Sequence, residues 1–496
     1  MALLVGEVLR RNAQVVPRLG ATTLGDRRMT YAELNAEGNR VAHALRALGV
    51  AHGDRVACWS NTTLDVLPLY VALSKLGAVF APLNARFGTE EASDILGFAR
   101  PRMLVVDAEH AEAGEVVAKA ADVERLARVA GGPGPGVDLA EAARAASASE
   151  PETPELVETD PHVIFFTSGS TGRPKGVVLS HRVNYLRTMR GMAERTVSMF
   201  PLFHMAGWMY ALGAWQGRGE VNFVESPTAE GLLDAAQKYR PMRLYCIPGV
   251  WARILERDLS RWDLSSLQGV DTGTSATPPE LITALKERFP GTTTNIMYGS
   301  TEAGPGTILA DPDVLRKPGS VGLPAPGVDL RITDVGEVCL RSDLLMSGYF
   351  ENPEATAEAL VDGWYHTGDL GVLDDEGYLS IVGRKREIIR SGGETVAPTE
   401  VEAALADHPD IAEVAVVGIP DARWGEVICA VVVPRADRVP AIEELREHCA
   451  ARLARYKQPR RVEAVAELPR TSATGQIQRN ILVEQITSRS PESDGA

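Results

Sequence analysis

The chain of 496 residues is predicted to be an α/β protein with a large N-terminal domain and a small C-terminal domain. Three observations lead to this prediction. Strands alternate with helices from the start, a run of short strands follows, and a compact mixed pattern closes the chain. A single core is not expected at this length, for which about two to four domains are usual.

The first part of the chain alternates between helical and extended patterns. Residues 1–50 are predicted to form helices around a short hairpin, and Gly49 ends the second helix. Further elements are predicted as strands over 55–59, 79–83 and 103–106 and as a helix over 66–76. A strand followed by a helix, repeated along the chain, predicts a parallel sheet.

The remaining segments differ in character. Residues 129–160 are rich in Ala, Gly, Pro and Glu, which predicts a surface loop or linker. A second α/β run extends from 163 to about 308, and short strands with Gly and Pro turns over 312–382 predict a small β-barrel-like subdomain. We therefore predict an N-terminal domain over 1–386, with two α/β subdomains and the β-rich one, and an α+β C-terminal domain over 387–496.

Composition excludes several classes of function. The net charge of −15 argues against a nucleic-acid-binding protein, which would present a basic face. The five cysteines form no CxxC pair, so neither a zinc site nor a disulfide framework is predicted. No apolar stretch approaches about 18 residues, and the N-terminus lacks a secretory pattern. A cytoplasmic protein without a membrane span is the expectation.

A glycine-rich segment, Thr-Ser-Gly-Ser-Thr-Gly-Arg-Pro-Lys-Gly over 167–176, follows an apolar strand. Glycines let the backbone approach an anion closely, and hydroxyls and cations donate hydrogen bonds to phosphate oxygens. Gly176 follows Lys175, where a Walker loop has Ser or Thr. We predict a phosphate-binding loop of another kind. Its candidate contacts are Thr167, Ser168, Gly169, Ser170, Thr171 and Lys175.

This segment resembles the signature of the adenylate-forming superfamily, which contains acyl-CoA synthetases, luciferases and peptide-synthetase adenylation domains. Further segments resemble the family's later motifs, in order: Pro201-Leu202-Phe203-His204, Tyr298-Gly299-Ser300-Thr301-Glu302, Tyr365-His366-Thr367-Gly368-Asp369, Gly383-Arg384-Lys385-Arg386-Glu387 and Ser391-Gly392-Gly393-Glu394. The resemblance covers the whole chain and is nearest to bacterial medium-chain, long-chain and aryl acyl-CoA ligases. It implies a C-terminal domain that is mobile about a hinge at Glu387.

The resemblance also implies cofactors and residue roles. The cofactors are ATP or the AMP moiety of an acyl-adenylate, coenzyme A and Mg²⁺. Thr301 would bind the α-phosphate and Glu302 would hold Mg²⁺, which suits a carboxylate beside phosphates. Tyr298 would stack on adenine. Asp369 would accept both ribose hydroxyls, with Arg384 assisting at the same sugar.

Other residues are assigned to the acyl group and the thiol. His204 would line the acyl pocket, although a histidine satisfied in the core is an alternative. Gly393 would lie beside the pantetheine arm. The candidate CoA contacts are Arg86, Trp424, Lys457 and Arg460. The expected pocket walls are Trp208, Cys246–Gly249 and Gly273–Ala276, and Gly273 is also a candidate cofactor contact.

One position departs from the family pattern. By resemblance, a lysine that bridges the substrate carboxylate and the α-phosphate is expected at 476, and this chain has Gln476. A fixed cation stabilises the charge that builds when two anions react, whereas glutamine donates hydrogen bonds without charge. The run from Pro469 to Gly475 is also one residue longer than usual.

These observations lead to a functional prediction. We predict an enzyme that converts an acyl-adenylate and CoA to acyl-CoA and AMP, with ATP-dependent adenylation impaired and a separate adenylating enzyme as partner. Four alternatives remain: a complete ATP-dependent synthetase, a non-catalytic binder of nucleotides or acyl-adenylates, transfer to a carrier-protein thiol, and an engineered substitution at 476. Met205, Trp208, Met209 and Trp251 favour a bulky apolar or aromatic acid.

Overall fold

The computed structural model describes residues 2–131, 133–152, 155–167, 175–189, 195–391, 394–421, 423–436, 438–450, 452–471 and 475–489. The chain divides into two compact units. Unit 1 comprises 1–318, 324–328 and 341–365, and unit 2 comprises 319–323, 329–340 and 366–496. This division places 366–386 with the C-terminal part, whereas the sequence predicted a border at 387. The border stays a prediction.

The helices are α1 (Val5–Val15), α2 (Tyr31–Ala47), α3 (Val66–Leu76), α4 (Thr89–Ala99), α5 (Ala111–Ala120), α6 (Leu139–Arg144), α7 (His181–Thr188), α8 (Met205–Gln216), α9 (Ala229–Tyr239), α10 (Pro248–Leu255), α11 (Pro279–Arg288), α12 (Asp313–Arg316), α13 (Pro353–Ala359), α14 (Pro398–Leu405), α15 (Ile442–Cys449) and α16 (Arg479–Arg489).

The first strands are β1 (Gly20–Leu24), β2 (Arg27–Thr30), β3 (Arg55–Trp59), β4 (Val79–Leu83), β5 (Met103–Val106), β6 (Leu126–Arg128), β7 (Val137–Asp138), β8 (Pro161–Thr167), β9 (Lys175–Ser180), β10 (Arg195–Ser198), β11 (Glu220–Phe223), β12 (Arg243–Tyr245), β13 (Gly269–Gly273), β14 (Ile296–Ser300) and β15 (Gly304–Leu309). The later strands are β16 (Leu323–Pro324), β17 (Asp329–Ile332), β18 (Glu337–Arg341), β19 (Gly348–Tyr349), β20 (Leu360–Val361), β21 (Trp364–Leu373), β22 (Leu379–Arg384), β23 (Ile389–Ser391), β24 (Glu394–Val396), β25 (Ile411–Asp421), β26 (Gly425–Pro434) and β27 (Arg461–Ala464).

Three sheets organise unit 1. The largest has the order β19-β9-β8-β4-β3-β5-β6-β7, and its neighbours β4, β3 and β5 run parallel. A second sheet has the order β10-β11-β1-β2, and a third contains β12-β13-β14-β15. Helices connect the parallel strands, as the alternating pattern predicted. The predicted α/β fold is confirmed.

The helix between the first two parallel strands shows how the local sequence sets an element's end. Every residue of α3 is buried, because the helix is covered on all sides. Gly77 ends α3 with a left-handed φ of 66°, a conformation that glycine adopts without strain. A Cβ at this position would lie 2.2 Å from the His52 ring. The predicted bounds of α3, β3, β4 and β5 are confirmed.

The predicted loop or linker over 129–160 is wrong in part, because it contains β7 and α6. Asp138 caps α6 by accepting a hydrogen bond from a backbone N–H of its first turn, and Leu139 is buried. Further along, Glu150 pairs with the buried Lys75 at 2.7 Å. The segment is therefore attached to the core of unit 1.

Unit 2 begins with an open sheet in which β17, β18 and β21 are neighbours and β22 pairs with β21. The predicted β-rich segment is confirmed. Among the described residues, however, these strands do not close into a barrel. The last part of the chain forms a sheet of order β24-β23-β26-β25, with β27 on β26. The α/β fold with a small C-terminal domain therefore stands without the barrel-like element.

Alternate residues of β25 face two different cores, as the period of a strand requires. Val416 packs with residues of α14 and α15, whereas Ala415 and Val417 pack with residues of α16. Among the described residues, none of the helices combines the length and the apolar character that a bilayer span needs. Residues 490–496 lie outside the described residues.

Candidate active site

Polar residues of unit 1 collect at the carboxyl ends of parallel strands. β12, β13 and β14 run parallel, and β14 leads directly into Thr301 and Glu302. In open α/β sheets, ligands bind at this edge of the sheet. The predicted phosphate and metal contacts therefore lie where the fold favours a site.

A buried arginine that sequence reasoning missed holds this turn. Arg187 Nη1 donates to the Thr301 carbonyl at 2.9 Å, and Nη2 donates to the carbonyls of Glu302 at 2.9 Å and Leu344 at 2.7 Å. Burial lowers the pKa of Arg187 to about 9, so it remains positive at neutral pH. An arginine on a helix gave no sequence signal, because its partners are distant backbone carbonyls.

The predicted metal ligand and the end of the glycine-rich segment meet at one tyrosine. The hydroxyl of Tyr349 donates to Glu302 Oε1 at 3.1 Å. Lys175 Nζ lies 4.6 Å from the centroid of the same ring, a cation–π geometry. The structure thus brings Lys175 and Glu302 to the same tyrosine, the lysine over its ring and the carboxylate at its hydroxyl.

The rest of the glycine-rich segment is only partly described. Thr167 Oγ1 donates to the Lys175 carbonyl at 3.4 Å, which joins the two ends of the segment across β8 and β9. The other predicted contacts of this segment, Ser168, Gly169, Ser170 and Thr171, lie outside the described residues. Their role stays a prediction.

Tyr298 and Gly273 lie on neighbouring strands. Tyr298 is half-buried on β14. Gly273 closes β13, and a Cβ there would lie 2.1 Å from the carbonyl oxygen of Met297. Gly273 is therefore needed for the close approach of β13 to β14. Its predicted contact with a cofactor stays a prediction.

In unit 2, the two predicted ribose contacts pair directly. Asp369 and Arg384 are opposite each other on β21 and β22, and Arg384 Nε lies 2.7 Å from Asp369 Oδ1. The Asp369 side chain is almost fully buried, whereas that of Arg384 is 50% exposed. A ligand can therefore reach the pair from the arginine's side.

Glu337, which sequence reasoning also missed, organises the turn before Asp369. Its carboxylate accepts hydrogen bonds from Lys385 Nζ at 2.9 Å, His366 Nδ1 at 3.2 Å and the Gly368 backbone N–H at 3.2 Å. Burial raises the pKa of Glu337, but the hydrogen bonds from Lys385 and His366 lower it below its ordinary value overall. The ionised carboxylate therefore ties two of the predicted motifs together.

His204 caps α8 and lies in an aromatic cluster, which we define as Phe200, His204, Tyr210 and Tyr245. The Phe200 ring centroid lies 5.6 Å from His204, 6.0 Å from Tyr210 and 5.6 Å from Tyr245. His204 Nδ1 accepts from the Ala206 N–H at 3.2 Å, so the proton of the neutral ring is on Nε2. Burial lowers the pKa of His204 to about 4.

The unfavourable protonation of His204 predicts an acid-sensitive stability. The unfolded state binds this proton near pH 6.5 and the folded state near pH 4, so stability is lost as the pH falls through that window. Between pH 7 and pH 5, His204→Gln is expected to lose about 2 kcal/mol less unfolding free energy than the unchanged protein. Urea unfolding at both pH values measures this difference.

The control for this prediction is His43→Gln, which removes an imidazole outside the aromatic cluster. It reports the effect of removing an imidazole elsewhere in unit 1. An identical pH dependence for His204→Gln and the unchanged protein would contradict a His204 imidazole that is held neutral in the folded state.

Two tryptophans expected to shape the acyl pocket belong to the core instead. Trp208 stacks on Tyr70 at 3.8 Å and donates to the Leu202 carbonyl at 2.6 Å. Trp251 is fully buried and donates to the Asp271 carbonyl at 2.8 Å. Both indoles are used in packing, so they give no information about the size of the acid.

Gln476 lies on a hairpin of unit 2 and is exposed. Its N–H donates to Thr471 Oγ1 at 3.0 Å, and the Thr471 N–H donates to the Gln476 carbonyl at 2.8 Å. Arg470 and Ile477 form the next antiparallel bridge. The backbone at 476 is therefore held in a defined register against Thr471.

The two arginines nearest to Gln476 in the chain are bound within unit 2. Arg479 Nη1 lies 2.7 Å from Glu387 Oε2, and Nη2 lies 2.7 Å from Glu402 Oε1. Arg470 pairs with the Glu413 carboxylate and donates to the Gly475 carbonyl at 2.9 Å. Arg479 thus attaches the start of α16 to the predicted hinge residue.

The predicted CoA contacts are divided between the two units. In unit 2, the Arg460 guanidinium lies 4.0 Å from the Trp424 ring centroid. Lys457 Nζ lies 2.6 Å from Glu400 Oε2, and this hydrogen bond raises the pKa of the lysine. Arg86 is an exposed residue of unit 1. Gly393 lies outside the described residues.

Comparison with known proteins decides the family. Residues 9–350 match a family model described as AMP-binding enzyme, and residues 400–474 match the AMP-binding enzyme C-terminal domain. The chain belongs to the AMP-binding enzyme family. In this family the cofactors are ATP or AMP and CoA.

Similar members of the AMP-binding family cover the whole chain. The long-chain-fatty-acid–CoA ligase FadD13 of Mycobacterium tuberculosis is 34% identical, with 98% of this chain and 99% of the relative covered. The indoleacetate–CoA ligase of Aromatoleum aromaticum is 36% identical, with 98% of each chain covered. The crystal structure of the anthranilate CoA ligase AuaEII with anthranoyl-AMP matches with a TM-score of 0.86, 27% identity and 99% coverage of both chains. The predicted superfamily and the enzyme class, acyl-CoA ligase, are confirmed.

Proposed function

We propose that this AMP-binding enzyme transfers the acyl group of an acyl-adenylate to CoA, and that its own ATP-dependent formation of the adenylate is impaired. The observation that carries the proposal is Gln476, which stands where the family pattern places a lysine. The residues proposed for adenylate binding, Thr301, Glu302 and Asp369, are retained. The absence of a lysine at 476 would therefore affect adenylate formation and not the transfer of the acyl group to CoA.

Charge explains why the first half-reaction is the one affected. A carboxylate must attack the α-phosphate of ATP, so two anions approach each other. Loss of one preorganised hydrogen-bond donor typically lowers a rate about 10²–10³-fold, and loss of a full charge in a dry site costs at least as much. Arg470 and Arg479 are each paired with carboxylates of unit 2, which argues against either one replacing the lysine.

The second half-reaction has no such requirement. The CoA sulfur attacks the acyl carbonyl carbon, the bond from that carbon to the phosphate oxygen breaks, AMP leaves, and the thiol proton passes to solvent. We propose that Thr301 binds the phosphate and Asp369 the ribose hydroxyls. The electrophile is already activated, so a cation at 476 is not needed.

Glu302 is the proposed ligand of Mg²⁺ when nucleotide binds. Among the described residues, no group of three or more His, Cys, Asp or Glu could hold a metal by itself. A single carboxylate nevertheless suits Mg²⁺, which is usually bound by one or two carboxylates together with substrate phosphates and water. When bound, the ion would neutralise phosphate charge.

A separate adenylating enzyme would supply the acyl-adenylate. A second candidate function is a complete ATP-dependent synthetase that tolerates Gln476, and it is favoured by relatives named CoA ligases that match over the whole length. Those names include both a fatty acid and an aromatic acid. The aromatic cluster favours an acid that carries a ring.

The test supplies the two half-reactions separately. The protein is incubated with CoA and either acid plus ATP or the preformed acyl-adenylate, across a panel of acids. We expect thioester from the adenylate and little or none from acid and ATP. Pyrophosphate release from ATP at an ordinary rate of about 1–10³ s⁻¹ would support the complete synthetase instead. Adenylate binding without thioester would indicate a non-catalytic binder.

The proposed CoA contacts make a further prediction. Arg460→Met should raise the KM for CoA about tenfold and leave kcat nearly unchanged, because one charge-assisted contact to a phosphate is lost outside the reacting atoms. Steady-state kinetics with preformed adenylate measures both constants. Arg435→Met, which lies elsewhere in unit 2, is the control. An unchanged KM in the Arg460 variant would remove Arg460 from the CoA site.

A further inference from the structure

The aromatic cluster contains polar groups that the proposed thioester reaction does not use. The Tyr210 hydroxyl and His204 Nε2 make no hydrogen bond within the described part of the chain, and both side chains are half-buried. The Tyr245 hydroxyl lies 2.7 Å from Thr274 Oγ1. Neither atom is among the fully buried unpaired atoms of the described residues, so both face space that water or a ligand can enter.

Tyr245 of the cluster belongs to the sheet whose strand β14 leads to the predicted nucleotide contacts, whereas Phe200 follows a strand of another sheet. Phe200 follows β10 and Tyr245 closes β12, at the carboxyl ends of these strands. Thr274 follows β13, and its N–H donates to the Met297 carbonyl at 3.3 Å, next to Tyr298 on β14. Tyr245 and Thr274 therefore lie at the end of the sheet where open α/β folds bind their ligands.

Backbone strain provides a second, independent sign of a ligand site. Thr274 has a φ of 72°, in the left-handed region that β-branched residues rarely adopt. Strain of this kind persists where surrounding structure imposes it, and it is concentrated at ligand-binding positions. The strained residue, Thr274, is the hydrogen-bond partner of the Tyr245 hydroxyl.

The cluster is electrically neutral. Its phenols are un-ionised at neutral pH, and burial keeps the His204 imidazole uncharged. The arginine whose charge reaches Tyr210 is Arg243, and its Nε lies 2.7 Å from Asp271 Oδ2, so it is neutralised. A second carboxylate on the acid would therefore find no fixed cation here, whereas an uncharged acceptor would find donors.

The two unpartnered donors are separated along one helix. His204 caps α8 and Tyr210 lies six positions further on, which corresponds to about 9 Å along the helix axis. If His204 lies near the reacting carbonyl, the Tyr210 hydroxyl meets a part of the acyl group well away from it.

We propose that Tyr210 determines acyl specificity by hydrogen-bonding to an uncharged oxygen, such as a ketone or ether, on the distal part of a ring-bearing acyl group. This inference rests on the proposed function and on the expectation that His204 lines the acyl pocket. It adds the substrate class: an aromatic or alicyclic acid with a neutral acceptor. A purely hydrocarbon acid would leave the phenol unpaired.

The test compares two acyl-adenylates that differ only in a distal ring oxygen. Tyr210→Phe keeps the ring and removes the hydroxyl. For the oxygenated adenylate, kcat/KM for thioester formation is expected to fall about 10–100-fold, whereas for the hydrocarbon adenylate it should change less than about threefold. Tyr239→Phe, which removes a hydroxyl that donates to the Gly25 carbonyl, is the matched control and should change neither value.

A binding measurement separates failure of this inference from failure of the proposed function. Non-reactive acyl-sulfamoyl adenosine mimics of the same two acyl groups are titrated calorimetrically against both proteins. A selective loss of affinity for the oxygenated mimic in Tyr210→Phe supports the inference even if no thioester forms. Equal changes for both mimics and both adenylates, or a preference of the unchanged protein for the hydrocarbon forms, would overturn it.

Discussion

Replacing Gln476 by lysine is expected to raise the rate of acyl-adenylate formation from acid and ATP by at least about 10²-fold. The substitution places an ammonium group at a position whose backbone register is defined by hydrogen bonds to Thr471. The thioester step should change little, because it starts from an activated acyl group. ATP–pyrophosphate exchange measures the first step, and CoA consumption with preformed adenylate measures the second.

The matched control is Asn480→Lys, which adds the same charge at an exposed position of α16. It should leave pyrophosphate exchange at the level of the unchanged protein. A second variant combines Gln476→Lys with deletion of Ser472, because the run from Pro469 to Gly475 is expected to be one residue longer than the family pattern. The proposal that a separate enzyme forms the adenylate would be contradicted by either of two results. One is that neither lysine variant gains exchange activity, and the other is that the unchanged protein already exchanges at an ordinary rate.

Replacing Arg187 by methionine is expected to lower the free energy of unfolding by about 3–5 kcal/mol. The guanidinium satisfies the carbonyls of Thr301, Glu302 and Leu344, and methionine fills similar space without donating to any of them. The turn would then shift. A displacement of about 1 Å at reacting groups can lower a rate about 10²-fold, so kcat/KM with preformed adenylate should fall by that order.

Two variants distinguish this clamp from a general loss of charge. Arg182→Met, on the same helix, breaks a partly exposed pair with Glu158 and should cost about 1 kcal/mol or less. Arg187→Lys keeps the charge but lacks the planar fork, so it should recover only part of the stability and activity. Urea unfolding and thioester kinetics on the same preparations provide both readouts. Unchanged stability and activity in Arg187→Met would contradict the clamp.

Some candidate site residues could be named from the sequence because the motifs that contain them are local in the chain, and their roles stay predictions. Thr301 and Glu302 are adjacent, and they follow a strand whose carboxyl end faces the favoured edge of the sheet. Asp369 and Arg384 were assigned to the same sugar by resemblance, and their pairing across β21 and β22 brings them together. A short segment of sequence contained the information in each case.

Other residues could not be predicted, because their partners are distant in the chain. Arg187 contacts carbonyls more than a hundred positions away, and Glu337 joins Lys385 to the turn at His366. Trp208 was predicted to line the acyl pocket because its side chain is large and apolar. The tertiary packing instead places the indole against Tyr70. Side-chain type does not tell whether a helix face meets a ligand or another part of the core.

The sequence by itself determined the family, the alternating α/β architecture and the uncharged side chain at 476, because these depend on residue identity and local spacing. Only the tertiary structure decided that Arg479 is held by Glu387 and Glu402, that Arg187 supports the Thr301 turn, and that the Tyr210 hydroxyl is left without a described partner. Such partnerships arise when segments far apart in the chain are packed together, and local sequence does not encode which segments will meet.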